Sequence, residues 1–224
     1  MPRMKPGPFV ATVIGDVVQS RAARDRPALH AALVALLGEA NTVLSPVVPL
    51  RITVGDEFQG CFPTVGEALH ATLWLRLHLT AQAGMQHDLR HGVGWGSVAV
   101  LADAPRVEDG PGWWAAREAI ESVKLEASKA VMRHLRTAYR RAEEEDGSGG
   151  PDPAAVNAAL MCRDQLVGSL SERSLRLLRG TLAGQTQAEL AEAENISASA
   201  VSQRVRNDGL AVIVAADEVL RRVS

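Results

Sequence analysis

The order of elements in the sequence predicts an α+β chain: an α/β sandwich with a mostly antiparallel sheet, followed by an all-α C-terminal unit. Three observations carry this. Apolar β-branched runs and leucine-spaced helices follow one another as strand, helix, hairpin, helix, strand, helix. A doubly wound parallel sheet would need a helix between every pair of strands, and the hairpin has none. A segment of acids, Gly, Ser and Pro at 143–153 interrupts the composition, and beyond Ser171 the pattern is helical and tightly punctuated by caps. The expected division is an α/β domain over 1–145, a linker with a connecting helix over 146–170, and a helix-turn-helix domain over 171–224.

Each element has its own signal. The first strand is the apolar run at 9–14, closed by Gly15-Asp16. Asp25 caps a helix with Pro27 in its first turn, and Leu29, Leu33, Leu36, Leu37, Ala40 and Val43 recur at helical spacing until Ser45-Pro46. A hairpin follows over about 50–62, with Gly55-Asp56-Glu57 at its tip. Pro63-Thr64 opens a second helix through Leu69, Leu73, Leu77 and Ala81, ending near Gly84. The run from Asp88 to Val100 is strand-like and carries alternating glycines, which in a strand signify close backbone approach or a bulge rather than a phosphate loop. One face of that strand is nearly bare, with room for a ligand or a packed neighbour. A loop covers 103–112, a helix starts at Trp113, and a further amphipathic helical stretch runs through Met132, Leu135 and Tyr139.

Composition limits the function. Hydrophobic residues make up 46% and charged residues 22%, ordinary for a globular chain with a real core, and the net charge of −2 gives no global pull towards nucleic acid or anionic membranes. The two cysteines, Cys61 and Cys162, lie far apart and form no framework, which fits a reducing, cytoplasmic setting. No apolar run approaches the roughly 20 residues that span a bilayer, so no membrane partner is expected.

Asp16 and Asp56 end two strands, the simplest way to hold a divalent cation with oxygen ligands. Gly-Asp is also ordinary turn chemistry, and both readings stand at this point. Further along, Thr186 and Glu189 form a capping-box pattern, Ser197 caps the next helix, and Leu190, Ala191, Ile196, Val201 and Val205 place a small core beneath two helices joined by a short turn. With Val201 and Val205 inward, Ser197, Ser199, Ser202, Gln203, Arg204 and Arg206 form an outer face without an acid between 196 and 207. Such groups reach phosphates and base edges, so double-stranded DNA is an expected partner. Seven Arg balance seven acids from Ser171 onward, so one copy would bind weakly and a homodimer is expected.

These stretches together resemble the SatD family of bacterial proteins. The matching residues are those of 14–21, 55–60 and 90–96, Asp109-Gly110-Pro111 with Trp114, 116–120, and the C-terminal helices. The motif order also resembles, more distantly, the class III nucleotide cyclases, whose fold is a ferredoxin-like α/β sandwich. That resemblance implies metal-binding aspartates at Asp16 and Asp56, and a phosphate-facing Arg at Arg117. It further implies Mg²⁺ or Mn²⁺ with a small-molecule nucleotide. Gly55, Glu57 and Trp113 complete the implied ligand-binding set. Trp113 stands where cyclases have an Asn, and Ile52 where they have a base-selecting Lys. The expectation is a DNA-binding transcription regulator whose cyclase-like domain binds a nucleotide, a divalent metal or both. The alternative is an active nucleotide cyclase or other two-metal phosphoryl-transfer enzyme. A third possibility is a scaffold in which Asp16, Asp56 and Arg117 form a buried ion-pair network.

Overall fold

A computed structural model describes residues 7–80, 87–104, 106–143 and 149–224. The expected end of the second helix at Ala81 and Gly84, and residues 144–148 of the acidic Gly-Ser segment, lie outside the described residues. The chain runs β1 (Phe9–Val17), α1 (Arg26–Leu44), β2 (Val48–Val54), β3 (Glu57–Phe62), α2 (Val65–Thr80) and β4 (Leu89–Ser97). Then follow β5 (Ala99–Asp103), β6 (Arg106–Asp109), α3 (Pro111–Glu126), β7 (Thr137–Arg141) and α4 (Pro153–Gly168). The last elements are α5 (Glu172–Leu182), α6 (Gln187–Ala193), α7 (Ala198–Asn207) and α8 (Leu210–Leu220). The main sheet has the order β2-β3-β1-β4-β7, antiparallel throughout except for the parallel β4–β7 pair. Its first four strands with α1 and α2 make the βαββαβ arrangement of a ferredoxin-like sandwich.

The pleat sorts β1 between two layers. Ala11, Val13 and Val17 enter the core beneath α1 and α2, together with Phe58 and Phe62 of β3. Ile14 and Val10 face the other way, towards Trp113, Ala116 and Ile120 of α3. By length and composition α1 is apolar enough to cross a membrane, but its Leu29, Leu33, Leu36, Leu37 and Ala40 are buried in the core.

The bare face of β4 is filled by a neighbour, α3. A Cβ added at Gly94 would lie 2.2 Å from the Gly112 carbonyl oxygen and 2.4 Å from the Ala116 nitrogen; one at Gly92 would lie 2.2 Å from the Ala116 oxygen. The glycines therefore exist to let helix backbone lie on strand backbone. Thr12, on β1 beside them, donates its hydroxyl to the Gly112 carbonyl at 2.7 Å.

Both edges of the sheet are closed by asparagines from helices. Asn41 of α1 receives the Leu50 N–H (2.7 Å) and donates to its carbonyl (2.9 Å) on β2. Asn157 of α4 does the same for Tyr139 on β7, at 2.9 and 2.8 Å. These amides satisfy edge groups that would otherwise recruit another strand.

Two expectations are corrected here. The loop over 103–112 is partly the β5–β6 hairpin, which starts at Ala99. The helical stretch through Met132, Leu135 and Tyr139 is a 3-10 turn at Ala130–Met132 followed by β7, because parallel pairing with β4 satisfies that backbone. Within 146–170, α4 buries Val156, Leu160 and Val167.

The C-terminal helices pack against the sandwich. They share a core with α2, in which Leu73 and Leu77 pack against Val167, Leu177, Leu178, Leu190, Val201, Leu210 and Ile213. The end of α8 returns to the first core through Leu220, and the Gly66 N–H donates to the Val223 carbonyl at 2.8 Å.

A buried charge network ties these layers. Arg76 of α2 donates to Asp88 (2.9 and 3.0 Å) and to Asp164 of α4 (2.9 Å), while Arg136 reaches Asp88 at 2.7 Å. Asp164 also accepts the N–H groups of Arg136 and Thr137 at 2.7 Å.

Two predictions follow from this packing. Gly94→Ala drives α3 off β4 and costs about 3 kcal/mol or more by urea denaturation, whereas Gly38→Ala, an exposed helical position with nothing within 4 Å of the new Cβ, gains about 0.5–1 kcal/mol. The second concerns acid. Burial pushes the Asp88 carboxyl up, but the charges and hydrogen bonds of Arg76, with Arg136, outweigh it and hold the group down at about 2, against an ordinary 3.8. A depressed carboxyl stabilises the fold above its ordinary range and loses that contribution as pH falls through the folded value. The stability gap between the wild type and Asp88→Asn should therefore narrow by about 2 kcal/mol between pH 4 and pH 2.

Candidate active site at the end of strand β1

Asp16 is the penultimate residue of β1, and by strand alternation its side chain shares the α3 face with Ile14. Its cross-strand partner is Arg90, the residue before the glycine series. The guanidinium takes both carboxylate oxygens, Nε to Oδ1 at 2.8 Å and Nη2 to Oδ2 at 3.3 Å. Because α3 lies against β4, Lys124 also comes within 3.3 Å of Asp16 Oδ2, while holding Glu121 at 2.9 Å.

The hairpin tip supplies the other carboxylates. Val54 pairs with Glu57 across a two-residue turn, and Gly55 takes the positive φ of 64° that this turn requires. Asp56 reaches back to the end of β1, where its Oδ2 accepts the Val17 N–H at 3.2 Å. The two strand ends thus meet. Glu57 forms a two-pronged ion pair with Arg117 of α3, at 2.6 and 2.7 Å. The Arg117 hydrogen bonds hold the Glu57 carboxyl below its usual range despite partial burial, and the same bonds raise Arg117. The Arg117 side chain is 44% exposed, so the pair's worth lies in orientation more than in stability.

On the α1 side of the tip, Ser20, Arg26, His30, Ile52 and Asp56 line a cleft of about 440 Å³. The connection entering it includes Gln19 in the left-handed region and a 3-10 turn at Ser20–Ala22.

Of the expected ligand set, Asp16, Gly55, Asp56, Glu57 and Arg117 gather at this end of the sheet. Trp113 is only 7% exposed, packed with Ile14, Val48 and Cys61; Trp114 is the exposed neighbour and donates its indole N–H to Asp109 at 2.8 Å. Arg117 pairs with Glu57 and not with either aspartate, so the imagined Asp16–Arg117–Asp56 network is replaced by three separate pairings. Sequence reasoning missed Arg90 and Lys124. The signal was present: Lys124 stands seven residues after Arg117, two turns along one face of α3.

A divalent ion would draw on hard carboxylate oxygens from Asp16 and Asp56. Two carboxylates completed by substrate phosphates and water suit Mg²⁺ or Mn²⁺. No cluster of three or more metal-ligating side chains occurs among the described residues. The donor chemistry fits such an ion, with Asp16 also bearing protein cations.

The expected DNA face is partly spent on the fold. Ser197 caps α7 by accepting the Ala200 N–H, and Arg204 lies 3.4 Å from Ser174 Oγ and 3.7 Å from Asp208. Ser199, Gln203 and Arg206 are exposed and Ser202 is half-buried.

No curated protein matches the sequence. Among solved structures, the chain is similar to the monomeric guanylyl cyclase domain of the RhoGC fusion protein from the aquatic fungus Blastocladiella emersonii. The TM-score is 0.44 at 17% identity, over 53% of this chain and 77% of that one. It is similar to the adenylyl cyclase CyaB from P. aeruginosa, with a TM-score of 0.39 at 17% identity over 51% and 71%. Adenylate cyclases from Trypanosoma brucei in their monomeric state give 0.44 at 16% identity over 55% and 71%. The core that α5–α8 share with α2, and the use of Ser197 and Arg204 within the fold, overturn the helix-turn-helix reading of a DNA-binding transcription regulator with double-stranded DNA as partner. Without DNA as a partner, weak binding by one copy no longer calls for a homodimer. The model of the SatD family matches residues 9–221, nearly the whole chain, and the protein belongs to the SatD family.

Proposed function

We propose that the end of β1 is a nucleoside-triphosphate site of the cyclase type, with phosphoryl transfer as its chemistry. The observation that carries this is the meeting of the two strand ends, where Asp56 of the hairpin tip accepts the N–H of the residue following Asp16, beside a 440 Å³ cleft. Asp16 and Asp56 hold the divalent cation, Mg²⁺ or Mn²⁺. Bound there, the ion would offset charge on the triphosphate and on the attacking oxygen. Arg26 and Ser20 border the cleft at the start of α1, where a cation and a hydroxyl suit phosphate oxygens. Arg117 is oriented by Glu57 and offers its guanidinium to developing negative charge.

In the reaction, the ribose 3′-oxygen bonds to the α-phosphorus and the bond from that phosphorus to the β-bridging oxygen breaks. Pyrophosphate leaves with the electron pair, and the hydroxyl proton passes to solvent. Base selection cannot follow the cyclase pattern where Ile52 replaces the Lys, nor can ribose orientation where buried Trp113 replaces the Asn.

A second reading has its own observation. Asp16 bears Arg90 on both oxygens, and Arg117 is engaged by Glu57, an arrangement that also suits nucleotide binding without turnover.

Incubation with each of the four nucleoside triphosphates and Mn²⁺ or Mg²⁺, followed by chromatography, separates the two. Turnover yields a cyclic nucleotide that Asp56→Ala lowers by at least about a hundredfold. Binding without product, lost in Asp56→Ala, favours the second reading. Equal product from the wild type and from Asp16→Ala and Asp56→Ala places the chemistry elsewhere, and no binding of any nucleotide overturns both.

A further inference from the structure

We propose that Lys124 is a tethered competitor for the divalent cation, setting the concentration at which Asp16 accepts metal. The inference rests on the metal-binding reading above and concerns how that same site is regulated.

Asp16 has no idle oxygen. Oδ1 takes Arg90 Nε at 2.8 Å, and Oδ2 takes Arg90 Nη2 and Lys124 Nζ, each at 3.3 Å. A divalent ion bonded to Oδ2 would stand a few ångströms from the Lys124 ammonium, where like charges repel strongly in a partly desolvated site. Arg90 is fixed by strand register as the cross-strand neighbour of Asp16. Lys124 is the movable one. Its ammonium already has a second carboxylate, Glu121, at 2.9 Å on the same helix, and its side chain is 31% exposed. Withdrawal from Asp16 therefore costs one of two partners and leaves the charge paired. This makes Lys124 a threshold, not a block: it yields to the ion when the ion is abundant.

The same geometry explains why the lysine lies there. The Gly92 and Gly94 contacts that bring the α3 backbone onto β4 also carry position 124 over the end of β1. Removing the charge while keeping the stem should leave the helix packing intact.

The test is binding of Mn²⁺ alone to the full chain, followed by titration calorimetry or by the electron paramagnetic resonance signal of free Mn²⁺. Lys124→Met should tighten Mn²⁺ about tenfold, the effect of removing one neighbouring unit charge in a partly exposed site. Lys124→Arg, which keeps the charge, should stay near wild type. Glu121→Gln should weaken Mn²⁺, because the lysine then has only Asp16. In an Asp16→Asn background, Lys124→Met should lose its effect. Unchanged affinity in Lys124→Met, with Mn²⁺ still dependent on Asp56, overturns the proposal and leaves the metal reading standing. Mn²⁺ binding that ignores both Asp16→Asn and Asp56→Ala overturns both. Thermal melting of each variant checks that the fold persists.

Discussion

The contact on which the rest of this structure depends is that of α3 against the glycine face of β4. Any Cβ at Gly92 or Gly94 would sit within about 2.2 Å of helix backbone, so the helix rests on the strand with no side chain between. From that seat α3 sends Trp113, Ala116 and Ile120 into the core under β1 and carries Arg117 and Lys124 to the sheet's end. Glu57 meets Arg117, and Asp16 its second cation Lys124, only because the helix is this close. Packing at the strand and electrostatics at the site are one constraint, and a single methyl group would disturb both.

A second constraint joins the sandwich to the C-terminal helices. A helix apolar on all sides must be buried on all sides. Such a helix is α2, with Leu69, Leu75 and Leu79 in one core and Leu73 and Leu77 in another. The buried Arg76, from the same helix, is held between Asp88 and Asp164, so α4 cannot leave without stranding a charge. The C-terminal helices are thus a second layer on the sandwich.

That is also where the sequence was least legible. Reading Leu69, Leu73 and Leu77 as one stripe left Ala68, Leu75 and Leu79 unaccounted for, and those residues were the sign that α2 needed cover on its far side. The short strand β7 escaped because five residues carry no clear period, and its pairing is set by α3 bringing the chain back parallel to β4. Helix caps were readable because they are local: Asp25, Ser197 and the Thr186–Glu189 box all form as their spacing implies. The aspartates at the strand ends were readable for the same reason. Their partners were not, since Arg90 and Lys124 reach Asp16 only through strand register and helix docking.

Those partners change the character of the site. Asp16, Asp56 and Glu57 alone would gather three negative charges at one end of the sheet, where they would repel one another. Arg90 and Lys124 offset Asp16 and Arg117 offsets Glu57, while Asp56 accepts the Val17 N–H. The charges of Asp16 and Glu57 are therefore offset within the protein itself, by groups that strand register and helix docking bring to them. Carboxylates that carry their own cations cost the fold little, because each charge is met by a partner that the packing already places there.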